Sequence, residues 1–469
     1  MKIHNTLTRQ LEEIKPINDG EVSIYSCGPT VYDRVHIGNL ASFIYADTLR
    51  RVLEGSGFKT IHVMNYTDVD DKTIKRSQEL YPDLEPLDAL KKLTESEINS
   101  FNKDVDAIGI DTNKINFIKA TESINEMQKM IVDLINKKYA YIADDGIYFS
   151  IDKYKSQGKK YGQLSSIDDA STGNARINND EYDKTSVHDF ALWKLAKSNE
   201  PSWEFDINNE KYSGRPGWHI ECSAMSHETL KTPFDIHTGG IDLIFPHHEN
   251  EIAQSTSALE KNRLANYFIH NEHLLIDNRK MSKSLNNFYT LNDITNNDYS
   301  PIALRMLVLQ AHYRSILHFS WDNLKSAVHR LNAYQAMADL RWQTKNVESS
   351  INDTYIENTL QEINKALEND MNTPEALKIL SSMENKINEQ LLSHNNLDSF
   401  NSFIQKIDDL FGLKLMKEDI SDELKNIITQ REKARDDKDF SRADELREEL
   451  LKSNISIRDT QQGTIWSRV

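Results

Sequence analysis

Four residues of this chain have side chains that together could hold a metal ion. The two cysteines of the sequence are Cys27 and Cys222, and the stretch HHENE places His247 and Glu251 four residues apart. On a helix this spacing puts both side chains on one face, and zinc takes four ligands drawn from cysteine, histidine and carboxylate. The residue types therefore predict one zinc site. Two buried cysteines and a surface His/Glu pair remain the alternative, because no CxxC pair is present.

A hydrolytic zinc site is the competing interpretation of HHENE. The HExxH pattern would need a second histidine at position 252, where the chain has Ile252, and the HxxEH pattern is absent too. The sequence therefore argues against metal-assisted hydrolysis at this site.

Trp218 lies one helical turn before Cys222, so its indole can face the same pocket as the candidate metal ligands. Ordinary core packing is the alternative for this tryptophan.

Two further stretches have the residue types for phosphate chemistry. HIGN (36–39) follows a predicted strand and opens a predicted helix, where we expect free backbone N–H groups to receive a phosphate. KMSKS (280–284) places two lysines three residues apart on a polar loop, which suits the stabilisation of charge that develops in a transition state. An ordinary loop and a solvated basic loop are the plain alternatives. The two stretches follow the first and last strands of two half-sheets, which favours the functional interpretation.

The elements that must position these residues alternate between strand and helix. The first half predicts strands at 21–27 and 59–65 with a helix from residue 39 between them. The second half predicts a helix with proline near its start, a strand, a helix and a strand, at 216–230, 233–240, 247–260 and 267–277. Strand ends and helix starts meet at one edge of such an α/β sheet. We therefore expect the candidate ligands to converge there.

The remaining segments indicate an insertion and a helical C-terminal half. A helix is predicted over 117–138 and a hairpin around Asp144-Asp145-Gly146, and 189–197 reads as a strand. The expected fold class is α/β: a Rossmann-like parallel-sheet catalytic domain with an insertion, then an α-helical bundle and a small C-terminal module. The predicted divisions are the first catalytic half, the insertion, the second catalytic half, the bundle and the module, at 1–116, 117–211, 212–300, 301–420 and 421–469.

Composition excludes several classes of protein. The net charge of −17 argues against non-specific coating of nucleic acid, and no apolar run is long enough to span a membrane. Two cysteines do not make a disulfide framework, and the N-terminus has no apolar signal region. We therefore expect a cytoplasmic protein that has no contact with membranes.

Longer stretches of the chain resemble one enzyme family. CGPTVYDRVHIGN, NYTDVDDK, GRPGWHIECSAM, FDIHTGGIDLIFPHHENEIAQS and KMSKS occur in order, and REKARDDKDFSRADELR and QQGTIW follow near the C-terminus. These stretches resemble the cysteinyl-tRNA synthetases, a class I aminoacyl-tRNA synthetase family, over nearly the whole chain. The resemblance implies that ATP and L-cysteine form cysteinyl-adenylate, and that the cysteinyl group is transferred to the 3′ end of cysteine tRNA.

The resemblance also implies roles for particular residues. One zinc ion per chain, held by Cys27, Cys222, His247 and Glu251, binds the thiolate of the substrate. ATP, used with Mg²⁺, is handled by a second group of residues: His36, Gly38, Asn39, Gly239, Gly240, Asp242, Lys280 and Lys283. The family usually has histidine where this chain has Asn39, which can donate a hydrogen bond but carries no charge. Thr67, Trp218 and His237 are candidate substrate contacts, and a satisfied core histidine is the alternative for His237.

The resemblance extends these expectations to the partners of the chain. The bundle is expected to hold the inner corner of the tRNA and the C-terminal module its anticodon. Phosphate contacts and base stacking are expected from Arg431, Arg435, Arg442 and Trp466, with a solvated charged face as the alternative for each arginine. The family is commonly monomeric. A ligase that joins cysteine to an amino sugar shares the catalytic half, but the terminal QQGTIW module argues against it.

Overall fold

The chain folds into two compact units. The structure is a computed structural model that describes residues 1–165, 172–177, 187–276, 279, 281, 287–344, 351–390, 392–460 and 463–469. The first unit comprises Met1–Asp293 and Tyr313–His318, and the second comprises Ile294–His312 and Phe319–Val469. Among the described residues, no helix has both the length and the apolar character needed to cross a membrane.

Strands and helices alternate through the first unit, and helices dominate the second. The strands are β1 Lys2–Asn5, β2 Gln10–Glu13, β3 Glu21–Ser26, β4 Lys59–Tyr66, β5 Ile115–Lys119, β6 Ala140–Ile142, β7 Gly146–Phe149, β8 Thr172–Ile177, β9 Val187–Leu195, β10 Asp206–Ile207, β11 Glu210–Lys211, β12 Gly214–Pro216, β13 Phe234–Gly240, β14 Ala265–Asn271, β15 Leu274–Ile276, β16 Leu317–Phe319, β17 Ile455–Thr460 and β18 Gly463–Arg468. The α-helices are α1 Ile37–Gly55, α2 Asp71–Leu80, α3 Pro86–Ala107, α4 Ile124–Asn136, α5 Ile151–Ser156, α6 Trp218–Leu230, α7 Glu249–Ala258, α8 Leu291–Asn296, α9 Pro301–Leu309, α10 Trp321–Asp339, α11 Asp353–Leu367, α12 Thr373–Gln390, α13 Leu397–Phe411, α14 Asp422–Asp436 and α15 Phe440–Lys452.

A five-stranded parallel sheet forms the centre of the first unit. Its order is β14-β13-β3-β4-β5, with Ile24 of β3 opposite Ile236 of β13 on one side and His62 of β4 on the other. The chain leaves β3 for β4 on one side, and later adds β13 and β14 on the other. The order therefore reverses between β3 and β13, which is where α/β sheets bind ligands. The predicted parallel α/β fold is confirmed.

Three details of the sequence prediction are wrong. The helix predicted over 117–138 begins at Ile124, because residues 115–119 form β5, the edge strand that pairs with β4. The strand predicted over 267–277 is two strands, β14 and β15. Pro216 ends β12, and α6 begins after it at Trp218. Periodicity alone does not separate a short buried strand from the start of a helix.

The segment between the two halves of the sheet adds a second sheet. Its strands pair in the order β12-β9-β7-β6, and β8 lies parallel to β9. The predicted hairpin is present as β6 and β7. The backbone N–H groups of Gly162, Leu164 and Ser165 donate to the buried Glu249 carboxylate at 3.1, 2.5 and 3.0 Å. These hydrogen bonds fix a loop of the segment to α7, two residues before Glu251.

The second unit contains the predicted bundle and the predicted C-terminal hairpin. The stripe of Ala376, Leu380, Met383 and Ile387 on α12 is fully buried, as helical periodicity requires of a core-facing side. The two charged helices α14 and α15 precede the antiparallel pair β17 and β18. A small hydrophobic cluster that includes Trp466 supports this hairpin.

Candidate functional site

A cavity of about 560 Å³ opens at the carboxyl ends of β3 and β13. The loop after β3 supplies Cys27 and Gly28, and the end of β13 supplies Gly239 and Gly240. A side chain at position 28 would place its Cβ 1.7 Å from the carbonyl oxygen of Asn65 on β4. Glycine is therefore required for this loop to pack against the end of β4 and bring Cys27 to the cavity.

The four predicted metal ligands lie together, and one of them, Cys27, lines this cavity. The ligand atoms of Cys27, Cys222, His247 and Glu251 all lie within 4.8 Å of one another. Nε2 of His247 is 3.1 Å from Oε1 of Glu251, as expected for residues one helical turn apart. Cys27 lies directly after β3 and Cys222 lies on α6. The sheet edge and two helices thus converge on one point.

A second potential ligand set shares two of these residues. Cys27 and Glu251 also group with His237 and His248, again with ligand atoms within 4.8 Å. Nε2 of His237 is 2.9 Å from the other oxygen of Glu251, so the carboxylate is held between two imidazoles. His237 lies on β13 and is 0% exposed. His237 therefore contacts the metal cluster from the side of β13, through its hydrogen bond with the candidate ligand Glu251.

A layer of histidines that sequence reasoning missed supports the cluster. His219 and His247 bring their Nδ1 atoms within 2.9 Å of each other. His248 lies 3.3 Å from the Cys27 sulfur through Nε2, and its Nδ1 is 2.8 Å from Nε2 of His270. Ligands of a metal are usually oriented by such outer contacts. The adjacent histidine letters in GWHIEC and HHENE were the available signal.

The electrostatics of the cluster suit a cation. Burial raises the pKa of the Cys27 thiol well above its usual range, and neighbouring Cys222 and Glu251 raise it further. Burial lowers the pKa of His219 to about 3, so its imidazole is neutral at pH 7. A metal ion would remove this penalty by stabilising the thiolates. Two sulfurs, one imidazole and one carboxylate are a donor set that fits zinc and does not fit an all-oxygen ion such as Mg²⁺.

Trp218 forms the wall of the cavity next to this cluster. Its indole stacks on the ring of His247 with 4.3 Å between centroids and 25° between planes, and it lines the cavity. Thr67, in contrast, is 2% exposed, and its hydroxyl accepts a hydrogen bond from Asn65 at 3.1 Å. The Asn65 side-chain oxygen accepts from the N–H of Gly28 at 2.9 Å. Thr67 therefore supports the loop that carries Cys27.

The other end of the cavity is built on the start of α1. Nδ1 of His36 accepts hydrogen bonds from the N–H groups of Gly38 and Asn39 at 3.1 and 3.2 Å, and the N–H of Ile37 donates to Tyr289. The prediction that free backbone N–H groups await a phosphate here is therefore wrong. Because Nδ1 accepts, the proton of the neutral ring is on Nε2. Burial lowers the pKa of His36 to about 4, against the opposing effect of Asp242.

The remaining predicted ATP contacts are only partly covered by the described residues. Asp242 lines the cavity, and its Oδ1 would be only 2.6 Å from a Cβ at position 240. Glycine at this position therefore leaves room for the Asp242 carboxylate. Lys280 and Lys283 lie outside the described residues. Met281 between them is described, and its Cε would be 2.6 Å from a Cβ at Gly38. Met281 therefore lies against the HIGN segment.

The predicted RNA contacts of the C-terminal module are partly committed to the protein itself. Arg431 is buried and donates to both carboxylate oxygens of Asp459, and Arg435 donates to the same group. Trp466 is 7% exposed within the hydrophobic cluster, so the prediction that it stacks on a base is wrong. Arg442 is exposed and donates to Glu445 at 2.8 Å.

Comparisons with known proteins identify the family to which this chain belongs. Residues 13–329 match the family model described as tRNA synthetases class I (C) catalytic domain. Residues 362–416 match the DALR domain, and residues 417–466 match the cysteinyl-tRNA ligase anticodon binding domain. A cysteine–tRNA ligase of Brachyspira hyodysenteriae is 40% identical over 99% of this chain and 98% of its own length. The chain belongs to the cysteinyl-tRNA synthetase family.

A second relative agrees with this membership, and two solved structures have the same fold. A cysteine–tRNA ligase of Thermococcus gammatolerans is also 40% identical, over 100% of this chain and 99% of its own. A methionyl-tRNA synthetase of Mycobacterium tuberculosis bound by methionyl-adenylate aligns with a TM-score of 0.59 at 11% identity, covering 83% of this chain and 92% of its own. A putative arginyl-tRNA synthetase of Campylobacter jejuni gives 0.55 at 12%, covering 87% and 95%. These two show the fold shared by class I synthetases. The predicted resemblance to the cysteinyl-tRNA synthetases is confirmed.

Proposed function

We propose that the protein activates L-cysteine with ATP and transfers it to cysteine tRNA. The observation that carries this proposal is the cluster of Cys27, Cys222, His247 and Glu251 at the end of the cavity, beside Trp218. Family membership supplies the reaction type. The position of the cluster supplies the reason why cysteine is the amino acid selected.

In the first step, the carboxylate of cysteine attacks the α-phosphorus of ATP, forming cysteinyl-adenylate and releasing pyrophosphate. His36 offers an Nε2–H donor at the cavity wall, and Asn39 follows it on the first turn of α1. Lys280 and Lys283 contact the pyrophosphate side, and ATP is used with Mg²⁺. The acceleration comes from positioning and charge stabilisation, without a covalent intermediate on the enzyme.

In the second step, a ribose hydroxyl at the 3′ end of the tRNA attacks the carbonyl carbon of the adenylate, and AMP leaves. Gly38, Gly239, Gly240 and Asp242 hold the nucleotide during both steps. Trp218 borders the amino-acid end, and Thr67 and His237 act there indirectly, through Asn65 and Glu251.

Discrimination against serine follows from the chemistry of the donor set. Serine differs from cysteine by one atom, and a pocket that relies on shape separates such pairs poorly. A zinc ion held by the four ligands, one per chain, would prefer a further soft thiolate over a neutral hydroxyl. Cys27, one of the four ligands, lines the same cavity as His36 and Asn39. We propose that the protein does this work as a monomer in the cytoplasm.

Charging of a cysteine tRNA transcript with radiolabelled cysteine tests the proposal. We expect label on the tRNA that depends on ATP and on an intact 3′ end. An amino sugar is offered in a parallel reaction without tRNA. Cysteine-dependent exchange of pyrophosphate into ATP with no charging of tRNA, and with the amino sugar accepted instead, would contradict the proposal.

A further inference from the structure

The hydroxyl of Tyr25 is buried beside the metal cluster. Tyr25 lies on β3, and its backbone is opposite His237 of β13 in the parallel sheet. The side chain is 0% exposed, and its hydroxyl has no oxygen or nitrogen partner among the described residues. A buried hydroxyl in this state is costly. Phenylalanine would fill the same space without that cost, so packing alone does not explain why this position holds a tyrosine.

The sheet directs the Tyr25 side chain towards the candidate ligands. Side chains alternate between the two faces of a strand, and the N–H of Cys27 continues the pairing of β3 with β13 at 3.2 Å, so residues 25 and 27 share a face. The Tyr25 ring packs edge-on against the His237 ring, with 5.5 Å between centroids. Burial raises the pKa of Tyr25 well above its usual range, and the nearby Cys222 and Cys27 raise it further. The hydroxyl is therefore a protonated donor close to both sulfurs.

The sulfur of Cys222 needs such a donor once it binds a metal. Its Sγ is 3.8 Å from Oδ1 of Asn65. A thiol can donate to that oxygen, but a metal-bound thiolate has lost its proton and can only accept. The hydrogen bond with Cys27 lowers the pKa of Cys222, burial raises it to give a net upward shift, and the Tyr25 hydroxyl is among the groups that lower it. The hydroxyl therefore favours the thiolate form of Cys222.

We propose that Tyr25 is a positioning residue whose hydroxyl donates to the Cys222 thiolate when zinc is bound. The inference rests on the proposed function, which places zinc in this cluster. Cys27 has a comparable neighbour, since Nε2 of His248 lies 3.3 Å from its sulfur. Hydrogen bonds of this kind orient metal ligands and tune the metal. A donor on Cys222 also withdraws electron density from its sulfur, so that the substrate thiolate is bound more strongly at the metal.

The test removes one hydroxyl and keeps the aromatic ring. Tyr25→Phe retains the packing against His237 and deletes only the proposed donor. Tyr66→Phe is the matched control, because Tyr66 is a buried tyrosine of the neighbouring strand β4 whose hydroxyl donates to Asn102 of α3 at 2.7 Å. The zinc dissociation constant of the full chain is measured by competition with a chromophoric chelator. Replacement of zinc by Co²⁺ gives a sulfur-to-metal charge-transfer band, which reports on the thiolates directly.

We expect Tyr25→Phe to weaken zinc binding about tenfold or more, because the buried thiolate loses a donor that stabilises its charge. The Co²⁺ charge-transfer band should move to longer wavelength, since a thiolate without this hydrogen bond is more electron-rich. At saturating zinc, the KM for cysteine in pyrophosphate exchange should rise while the KM for ATP keeps its wild-type value. Tyr66→Phe should leave the zinc dissociation constant, the band and both KM values unchanged.

An unchanged zinc dissociation constant or an unshifted band in Tyr25→Phe would overturn the proposal. Equal changes in Tyr66→Phe would overturn it too, because they would show a general effect of removing a buried hydroxyl from the sheet. Failure of the proposed function is a separate result, since the wild-type protein would then bind no zinc or show no cysteine-dependent exchange.

Discussion

The metal cluster and the arginine cluster of the C-terminal module use charged side chains in opposite ways. At the metal cluster, two thiols and the Glu251 carboxylate are drawn together, and burial raises the pKa of Cys27. In the module, Arg431 and Arg435 already share the carboxylate of Asp459. The first cluster therefore gathers acidic groups that a cation would stabilise, whereas the second is compensated internally. A cluster of ionisable side chains can thus form a binding site or a structural ion pair, depending on whether the fold places groups of opposite charge beside it.

Replacing one metal ligand should have the largest effect. Cys222→Ser keeps the shape of the side chain and removes a thiolate donor, so bound zinc and cysteine-dependent pyrophosphate exchange should both fall. We expect exchange to drop about 100-fold or more, since loss of even an outer contact of a metal ligand costs about 10- to 100-fold. Zinc is measured by mass spectrometry. Ser226→Ala, one turn further along the same buried helix, is the matched control. A Cys222→Ser variant that binds a full equivalent of zinc and shows normal exchange would contradict the assignment of Cys222 as a metal ligand.

Breaking the ion pair of the module should affect stability. Arg431→Ala leaves Asp459 without its buried partner, and we expect the free energy of unfolding to fall by about 2 kcal/mol, since Asp459 is 36% exposed and part of the interaction is screened. The exposed Arg442→Ala should change it by less than about 0.5 kcal/mol. Urea denaturation measures both values. Equal effects in the two variants would remove the distinction between a buried structural arginine and an exposed one.

The effect of pH on stability through this ion pair should be smaller still. The hydrogen bond from Arg431 lowers the pKa of Asp459 to about 2. A lowered pKa in the folded state gives stability that is present above the unfolded value near 4, and that is lost as pH falls towards 2. The stability difference between the wild type and Asp459→Asn should therefore narrow by about 1 kcal/mol over this range. A difference that stays constant from pH 5 to pH 2 would show that the carboxylate charge contributes nothing.

Sequence reasoning was most successful where one local pattern determines the outcome. Alternation of residue types predicts β3, and the i, i+4 spacing predicts the contact between His247 and Glu251. The metal ligands could be named from a set of only two cysteines, because few residue types bind zinc. Their convergence still required the sheet to be folded with β3 beside β13.

The remaining features depend on tertiary contacts that no local pattern encodes. That His36 would satisfy the first N–H groups of α1 depends on its ring orientation. That Arg431 is structural depends on Asp459, which lies on a strand of the following hairpin. His270, which supports His248, comes from a different strand of the sheet. Each case concerns a polar group whose partner is distant in sequence, so residue type alone could not separate binding from support.

The selection of cysteine by the metal cluster is tested most directly by one exchange assay. Pyrophosphate exchange is measured with cysteine and with serine, for zinc-loaded protein and for protein stripped by a chelator. We predict that the loaded protein strongly prefers cysteine, and that stripping abolishes cysteine-dependent exchange until zinc is restored. Stripped protein that activates cysteine as well as before, or loaded protein that activates serine equally, would contradict the assignment of Cys27, Cys222, His247 and Glu251 as the selecting site.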